Sequence, residues 1–123
     1  MLMKVFPHGT GEGDKPSRYL VRPDYPGRDT APPQVLRGDP AMTRALVDSI
    51  ERRWKFTSGV LSWHPDDKVS EEQEEEVMDA FEQVAFAGLE ADQRNILWVR
   101  HTHAGHHELH FLIPRLELSS GKD

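Results

Sequence analysis

Two β-rich runs on either side of Ala104-Gly105 constrain the fold more than any other feature of the chain. The runs are RNILWVRHT over residues 94–102 and HELHFLIPRLEL over residues 107–118. A two-residue Ala-Gly turn makes them an antiparallel hairpin in which His101 opposes Glu108. Because opposed residues share a face and successive residues alternate between faces, the register predicts two unlike surfaces.

One face of the predicted hairpin is polar and the other is largely apolar. The polar face carries His101, His103, His106, Glu108 and His110. The opposite face carries Ile96, Trp98, Arg100, Thr102, His107, Leu109, Phe111 and Ile113. A half-buried hairpin of this kind packs its apolar face against helices.

The remaining segments predict the order β, short α, β, α, β, α, β, β. Strands are expected over residues 2–7, 34–39 and 55–63, and a short helix over 17–22. Asp39 as N-cap and Pro40 begin a helix that we expect to end near Arg53, with a buried stripe of Met42, Leu46 and Ile50. A capping box of Ser70 and Gln73 begins the next helix, whose expected buried face carries Val77, Phe81, Val84 and Ala85. The pattern indicates an α+β fold with a central, mainly antiparallel sheet of about five strands and helices mostly on one face.

Length and composition limit the class of protein. A chain of 123 residues forms one domain, residues 1–123. The absence of cysteine excludes a disulfide framework, a thiolate zinc site and a cysteine nucleophile. The N-terminal apolar run breaks at Pro7, and no stretch approaches the roughly 20 apolar residues of a membrane helix. We therefore expect a cytoplasmic location without a membrane segment.

The formal net charge of −6 argues at first against a nucleic-acid partner. Residues 66–76, however, hold seven acidic residues and one lysine, so the net charge of this segment equals the net charge of the whole chain. An acidic helix turned away from a ligand leaves a more basic face elsewhere. Charge alone therefore permits nucleic acid as a partner, and it equally permits an ordinary solvated surface.

Three residues of the polar face lie nearest the sheet interior, namely His101, Glu108 and His110. Opposed and diagonal neighbours in an antiparallel pair are about 4.5–8 Å apart, so these side chains can converge on one divalent ion. Two imidazoles and a carboxylate favour Mn²⁺, Zn²⁺, Ni²⁺ or Co²⁺ over Ca²⁺, and three protein ligands leave coordination positions open. The alternative is a solvated hairpin tip, which we favour for His103, His106 and His107.

Five long stretches match a known family in order and spacing: MLMKVFPHGTGEG, VLRGDPAMTRALVDSI, KFTSGVLSW, EEQEEEVMDAFEQVAFAGLEADQRNILWVRHT and ELHFLIPRLELSSGK. Through them the chain resembles the N-terminal catalytic domain of plasmid mobilization relaxases, in particular the branch of small colicin-type plasmids. Relaxases are HUH endonucleases, named after a His-hydrophobic-His metal motif, and this branch uses a His…Glu-x-Asn variant. His101 and Glu108 match its first two positions, whereas His110 stands where the branch has asparagine.

The resemblance implies transesterification on single-stranded DNA at an origin of transfer. Tyr19 matches the family nucleophile, which forms a 5′-phosphotyrosyl intermediate, and Tyr25 is the other tyrosine of the chain. The implied cofactor is a divalent ion, Mn²⁺ or Mg²⁺ in the first place and Zn²⁺, Ni²⁺ or Co²⁺ as alternatives. Expected partners are the DNA strand and accessory relaxosome proteins. Family members are longer, so the chain is expected to be the catalytic part of a longer protein.

Two further sets of residues enter with this mechanism. His103 and His106 are candidates for groups that hydrogen-bond to the ligands or accept a proton. Candidate phosphate contacts are Arg18, Arg22, Arg52, Arg53 and Lys55. Two rival functions stay open: a hydrolytic metal-dependent phosphodiesterase in which Tyr19 is structural, and a non-enzymatic DNA-binding or replication-accessory domain.

Overall fold

The computed structural model describes residues 1–6, 31–50, 55–87, 95–102 and 105–115. Its elements are, in chain order, β1 (Leu2–Val5), β2 (Gln34–Arg37), α1 (Pro40–Asp48), β3 (Phe56–Ser62), α2 (Glu71–Ala85), β4 (Leu97–His101) and β5 (Glu108–Pro114). The predicted short helix over 17–22 lies outside the described residues. The strands form one sheet in the order β1-β3-β5-β4-β2, and every pair is antiparallel. This arrangement confirms the predicted α+β architecture with its antiparallel sheet.

The two hairpin strands lie in the interior of the sheet. β5 is hydrogen-bonded to both β3 and β4, and β2 covers the outer edge of β4. β4 and β5 pair in the predicted register, with His101 opposite Glu108 and Val99 opposite His110. Because a slip of one residue would exchange the two faces, this register decides which side chains can meet.

The connection between β4 and β5 is longer than the predicted two-residue turn. The ladder ends at His101, so that residues 102–107 form the connection. Within it the amide of Gly105 donates to the carbonyl of Thr102 over 3.2 Å. Gly105 has a φ of 85°, a left-handed conformation that favours glycine. The predicted pairing across the turn involves His103, which lies outside the described residues.

α2 covers the face of the hairpin that the alternation predicted to be apolar. A buried cluster joins the helix to the sheet and consists of Leu61, Met78, Phe86, Ile96, Trp98, Leu109 and Phe111. The ring centroids of Trp98 and Phe111 are 5.5 Å apart, and Phe81 of α2 packs against both rings at 5.3 and 4.5 Å. Burying a large apolar side chain stabilises a fold by about 1.5–3 kcal/mol. The cluster therefore fixes which face of the hairpin is turned towards the helix.

Both described helices begin where the sequence predicts. The side chain of Asp39 accepts a hydrogen bond from the amide of Ala41 over 2.9 Å, at the start of α1. Ser70 and Gln73 form the predicted capping box at the start of α2. Neither helix is long and apolar enough to cross a membrane.

α1 ends at Asp48 rather than near Arg53, and its buried face differs from the prediction. Met42 was expected to be buried but is 56% exposed, whereas the adjacent Thr43 is fully buried. Thr43 tolerates burial because its hydroxyl donates to Oδ1 of Asn95 over 3.0 Å. Leu46 is half-buried and Ile50 is buried, as predicted. The apolar spacing therefore misplaced only the first residue of the stripe, since a satisfied hydroxyl packs inward as readily as an apolar residue.

The buried face of α2 was also predicted only in part. Val77 and Phe81 are partly buried, as expected, but Val84 is 81% exposed and Ala85 is exposed. Glu74 is buried instead. A carboxylate can occupy such a position only when charged or hydrogen-bonded partners compensate for its lost hydration.

Candidate metal centre

The three side chains predicted as metal ligands come together at the end of the β4–β5 ladder. His101 is the last residue of β4, Glu108 is the first residue of β5 and lies opposite it, and His110 follows two positions along. One ligand atom from each side chain lies within 4.8 Å of the other two. The imidazole centroids of His101 and His110 are 4.2 Å apart. The predicted register therefore brings the three predicted ligands together.

The spacing and the donor atoms of this group fit a divalent ion. Metal bonds to imidazole nitrogen and carboxylate oxygen are about 2.0–2.2 Å long, so ligand atoms around one ion stand about 3–4.4 Å apart. Separations of up to 4.8 Å need only small side-chain rotations to reach that range. His101 is 1% exposed, whereas Glu108 and His110 are partly exposed. The group is thus anchored on one side and open to a further ligand on the other.

Glu108 is the centre of the polar cluster on this face. Nε2 of His110 lies 3.1 Å from Oε1 of Glu108, and Nε2 of His106 lies 2.9 Å from Oε2. Burial raises the pKa of Glu108, but the hydrogen bonds and charges of His110 and then His106 outweigh it, so the pKa lies below its usual value. The carboxylate is therefore ionised at neutral pH. His106, for which a solvated position was favoured, contacts this carboxylate instead; its role in orienting a metal ligand stays a prediction.

Most of the other predicted site residues lie outside the described part of the chain: Tyr19, His103, Arg18, Arg22, Arg52 and Arg53. Lys55 lies in the described part of the chain, directly before β3. Its carbonyl accepts a hydrogen bond from the amide of Arg115 over 2.9 Å. Arg115 follows the end of β5, and Glu108 begins it. Lys55 therefore lies roughly 20 Å along the sheet from Glu108. A contact between Lys55 and DNA stays a prediction.

A buried ion-pair network lies on the opposite face of the hairpin. Its centre is Glu74 of α2, whose side chain is 3% exposed and accepts two hydrogen bonds from the guanidinium of Arg100. Nε2 of His107 lies 2.6 Å from Oε2 of Glu74. Burial raises the pKa of Glu74, but the hydrogen bonds and charges of Arg100 and His107 lower it by more. The pKa of Glu74 therefore lies below its usual value. We call these three residues the back-face network.

His107 and Glu74 were not recognised from the sequence. His107 was expected to be a solvated surface residue, which is wrong: it contacts Glu74, and its ring packs edge-on against Trp63 with centroids 5.4 Å apart. Glu74 was hidden within an acidic run. The available signal was its helical spacing of four from Met78, which places it on the buried stripe, opposite Arg100 on the helix-facing side of β4.

The fold and the ligand group together are consistent with an HUH-like nuclease domain. A sequence profile for the family described as "Relaxase: MobA/VirD2-like, nuclease domain" matches residues 39–123. The chain belongs to this family of relaxase nuclease domains. The match confirms the resemblance seen in the sequence and assigns the chain to a family of nuclease domains.

Two relatives extend the similarity over nearly the whole chain. The chain is 43% identical over 122 residues to "Cryptic plasmid protein C" of Neisseria gonorrhoeae, and 39% identical over 122 residues to "DNA relaxase MbeA" of Escherichia coli. Both alignments cover 99% of this chain, but they cover 58% of the first relative and 23% of the second. The chain therefore spans only part of the length of these relatives. No solved structure matches it.

Proposed function

We propose that this chain nicks one strand of DNA at a plasmid transfer origin, with Tyr19 as the nucleophile and a divalent ion held by His101, Glu108 and His110. The observation that carries the proposal is the convergence of the three ligand side chains within 4.8 Å. The group lies in the part of the chain that matches the relaxase profile. The relative named as a DNA relaxase supports the same activity.

The proposed reaction exchanges one phosphate ester for another. The phenolic oxygen of Tyr19 forms a bond to the phosphorus, and the bond from phosphorus to the 3′ oxygen of the preceding nucleotide breaks. A tyrosine hydroxyl has a pKa of about 10, so its proton must pass to a base. The departing 3′ oxygen takes up a proton and becomes a hydroxyl. Because an ester bond is conserved, the step is reversible and permits later rejoining of the strand.

The chain's own side chains have separate tasks in this scheme. His101, Glu108 and His110 would hold the ion, and His106 would keep the Glu108 carboxylate oriented through the contact at 2.9 Å. The sequence left His103 and His106 as candidates for the proton acceptor, and in this scheme His103 would accept the proton of the Tyr19 hydroxyl. When bound, the ion would polarise the scissile phosphate and offset its developing negative charge.

The donor set supports a choice among the candidate ions. Mn²⁺ accepts imidazole nitrogen and carboxylate oxygen, whereas Mg²⁺ prefers oxygen ligands throughout. His110 supplies a nitrogen where the colicin-plasmid branch has asparagine. We therefore propose Mn²⁺ as the better cofactor and Mg²⁺ as a weaker one, with Zn²⁺, Ni²⁺ and Co²⁺ as further candidates.

Single-stranded DNA is the proposed substrate, and the charge distribution supports this choice. α2 has acidic residues in its first turn, namely Glu71, Glu72 and Glu74, and it covers the face of the sheet opposite to the ligand group. Its charge is thus kept away from an approaching phosphate backbone. Phosphate contacts from Arg18, Arg22, Arg52, Arg53 and Lys55, accessory relaxosome proteins and a cytoplasmic location belong to the same proposal.

A doubly labelled origin oligonucleotide tests the proposal. With one dye at its 5′ end and another at its 3′ end, transesterification moves the 3′ dye onto the protein in a denaturing gel and leaves the 5′ dye on a shorter free strand. Tyr19→Phe should abolish the covalent band, and the matched variant Tyr25→Phe should retain it. Cleavage with both dyes on free strands, unchanged in Tyr19→Phe, would instead establish the hydrolytic phosphodiesterase.

A further inference from the structure

The ligand group lies where the β4–β5 ladder ends. His101 and Glu108 form the last backbone pair between the two strands, and residues 102–107 connect them. Ends of ladders open locally at low free-energy cost. A metal site, in contrast, needs ligands held within about 0.5 Å of their productive positions. On their outer sides the two strands are held by their neighbours, since Ser62 of β3 pairs with Glu108 and Gln34 of β2 pairs with Arg100. The position of His101 relative to Glu108 therefore depends on contacts that join β4 to β5 directly.

The back-face network makes such contacts from the other side of the sheet. Arg100 precedes the ligand His101 and His107 precedes the ligand Glu108, so both point away from the ligands and towards α2. One carboxylate, that of Glu74, bonds to both of them. Arg100 is held further by Gln34 of β2, whose Oε1 accepts a hydrogen bond from its guanidinium. Glu74 thus links the two strands one residue away from two of the three ligands.

A second carboxylate of the same helix makes a comparable link away from the ligands. Glu82 lies eight positions after Glu74, which is about two helical turns and so the same face. It accepts hydrogen bonds from the guanidinium of Arg37 on β2 and from Nε1 of Trp98 at 3.2 Å. Glu82 therefore joins α2 to the sheet as Glu74 does, but it contacts neither residue adjacent to a ligand.

We propose that Glu74 is a positioning residue for the metal site, acting through Arg100 and His107 to hold His101 and Glu108 together. This inference rests on the metal site of the proposed function. It assigns Glu74 no contact with the ion or with DNA. Partners that hold metal ligands in place typically contribute about 10–100-fold to metal affinity, and this effect separates a positioning role from a general contribution to stability.

The test compares Mn²⁺ binding by calorimetry in the 123-residue chain and in two variants, Glu74→Gln and Glu82→Gln. We expect Glu74→Gln to weaken Mn²⁺ binding by about 10-fold or more, and Glu82→Gln to bind as the unchanged chain does. In the metal-free proteins, amide hydrogen exchange should speed up at residues 105–110 in Glu74→Gln and stay unchanged there in Glu82→Gln.

A second pair of variants covers the case in which Glu74→Gln does not fold. His107→Gln keeps an amide donor for the Glu74 carboxylate and should retain most of the Mn²⁺ affinity, whereas His107→Leu should lose it. Equal Mn²⁺ affinity in Glu74→Gln and the unchanged chain would overturn the inference, and so would equal losses in Glu74→Gln and Glu82→Gln. If the unchanged chain binds no Mn²⁺, the metal site itself is refuted and the inference falls with it.

Discussion

Replacing Glu74 by glutamine should lower the stability of the metal-free protein by about 3 kcal/mol. The side chain of Glu74 is 3% exposed, and those of Arg100 and His107 are 19% and 15% exposed. Removing one partner of a buried pair costs about 3–5 kcal/mol because the other charge stays buried without compensation. The lower end applies here, since Arg100 keeps its bond to Gln34 and part of its access to water.

Thermal and urea unfolding measure this loss. For a domain of this length, about 3 kcal/mol corresponds to a fall of about 10 °C in the unfolding midpoint. The matched control is Glu75→Gln on the same helix. Its carboxylate pairs with Arg37 but is 60% exposed, so its loss should cost no more than about 0.5 kcal/mol.

The pH dependence of the stability difference between the unchanged chain and Glu74→Gln tests the same prediction independently. The folded-state pKa of Glu74 lies below its usual value, so its contribution is fully present above the unfolded-state pKa of about 4.3. It is lost as the pH falls through the folded-state pKa. The difference between the unchanged chain and Glu74→Gln should therefore shrink on acidification. A difference under about 1 kcal/mol at neutral pH, or one that grows below pH 4, would refute the reasoning.

Three further predictions follow from particular contacts. Phe111→Ala should cost about 3–5 kcal/mol in urea unfolding, because its ring is buried between Trp98 and Phe81; a cost under about 1 kcal/mol would contradict this packing. Met42→Ser should change stability by less than about 0.5 kcal/mol, whereas Val47→Ala, at a fully buried position of the same helix, should cost about 1–3 kcal/mol. A larger cost for Met42→Ser than for Val47→Ala would show that Met42 is buried, as the sequence predicted. His110→Asn should keep nicking activity but need several-fold more Mn²⁺, because an amide oxygen replaces a nitrogen ligand; unchanged Mn²⁺ dependence would remove His110 from the ligand set.

The hairpin was predictable because a glycine-containing turn joins two β-rich runs and the polar residues next to that turn recur at every second position. With His101 opposite Glu108, this register places the polar residues on one face and Trp98 and Phe111 on the other. The prediction of a polar face was incomplete, because the same face also carries the buried residues Leu97, Val99 and Leu112. The helix starts were equally predictable, because an N-cap residue can be recognised from the sequence immediately around it. The convergence of His101, Glu108 and His110 followed from the strand register without any knowledge of distant contacts.

The errors concern polar residues whose partners are distant in sequence. Thr43 is buried because Asn95 accepts its hydrogen bond, and Glu74 is buried because Arg100 and His107 both bond to its carboxylate. Such residues were assigned to the surface because they are polar, and the sequence does not identify partners that lie 26 to 52 positions away. His107 was misassigned for the same reason. Buried polar pairs are a property of the assembled sheet and helix.

Metal-dependent formation of the covalent protein–DNA product tests the proposed function most directly. The labelled origin oligonucleotide is incubated with the unchanged chain and with His101→Ala over a Mn²⁺ titration, after circular dichroism has shown that both are folded. The unchanged chain should transfer the 3′ dye to the protein band with a saturable dependence on Mn²⁺, and His101→Ala should give no such band at the same concentrations. Equal adduct formation by the two proteins, or adduct formation in the presence of a metal chelator, would contradict a metal centre built from His101, Glu108 and His110.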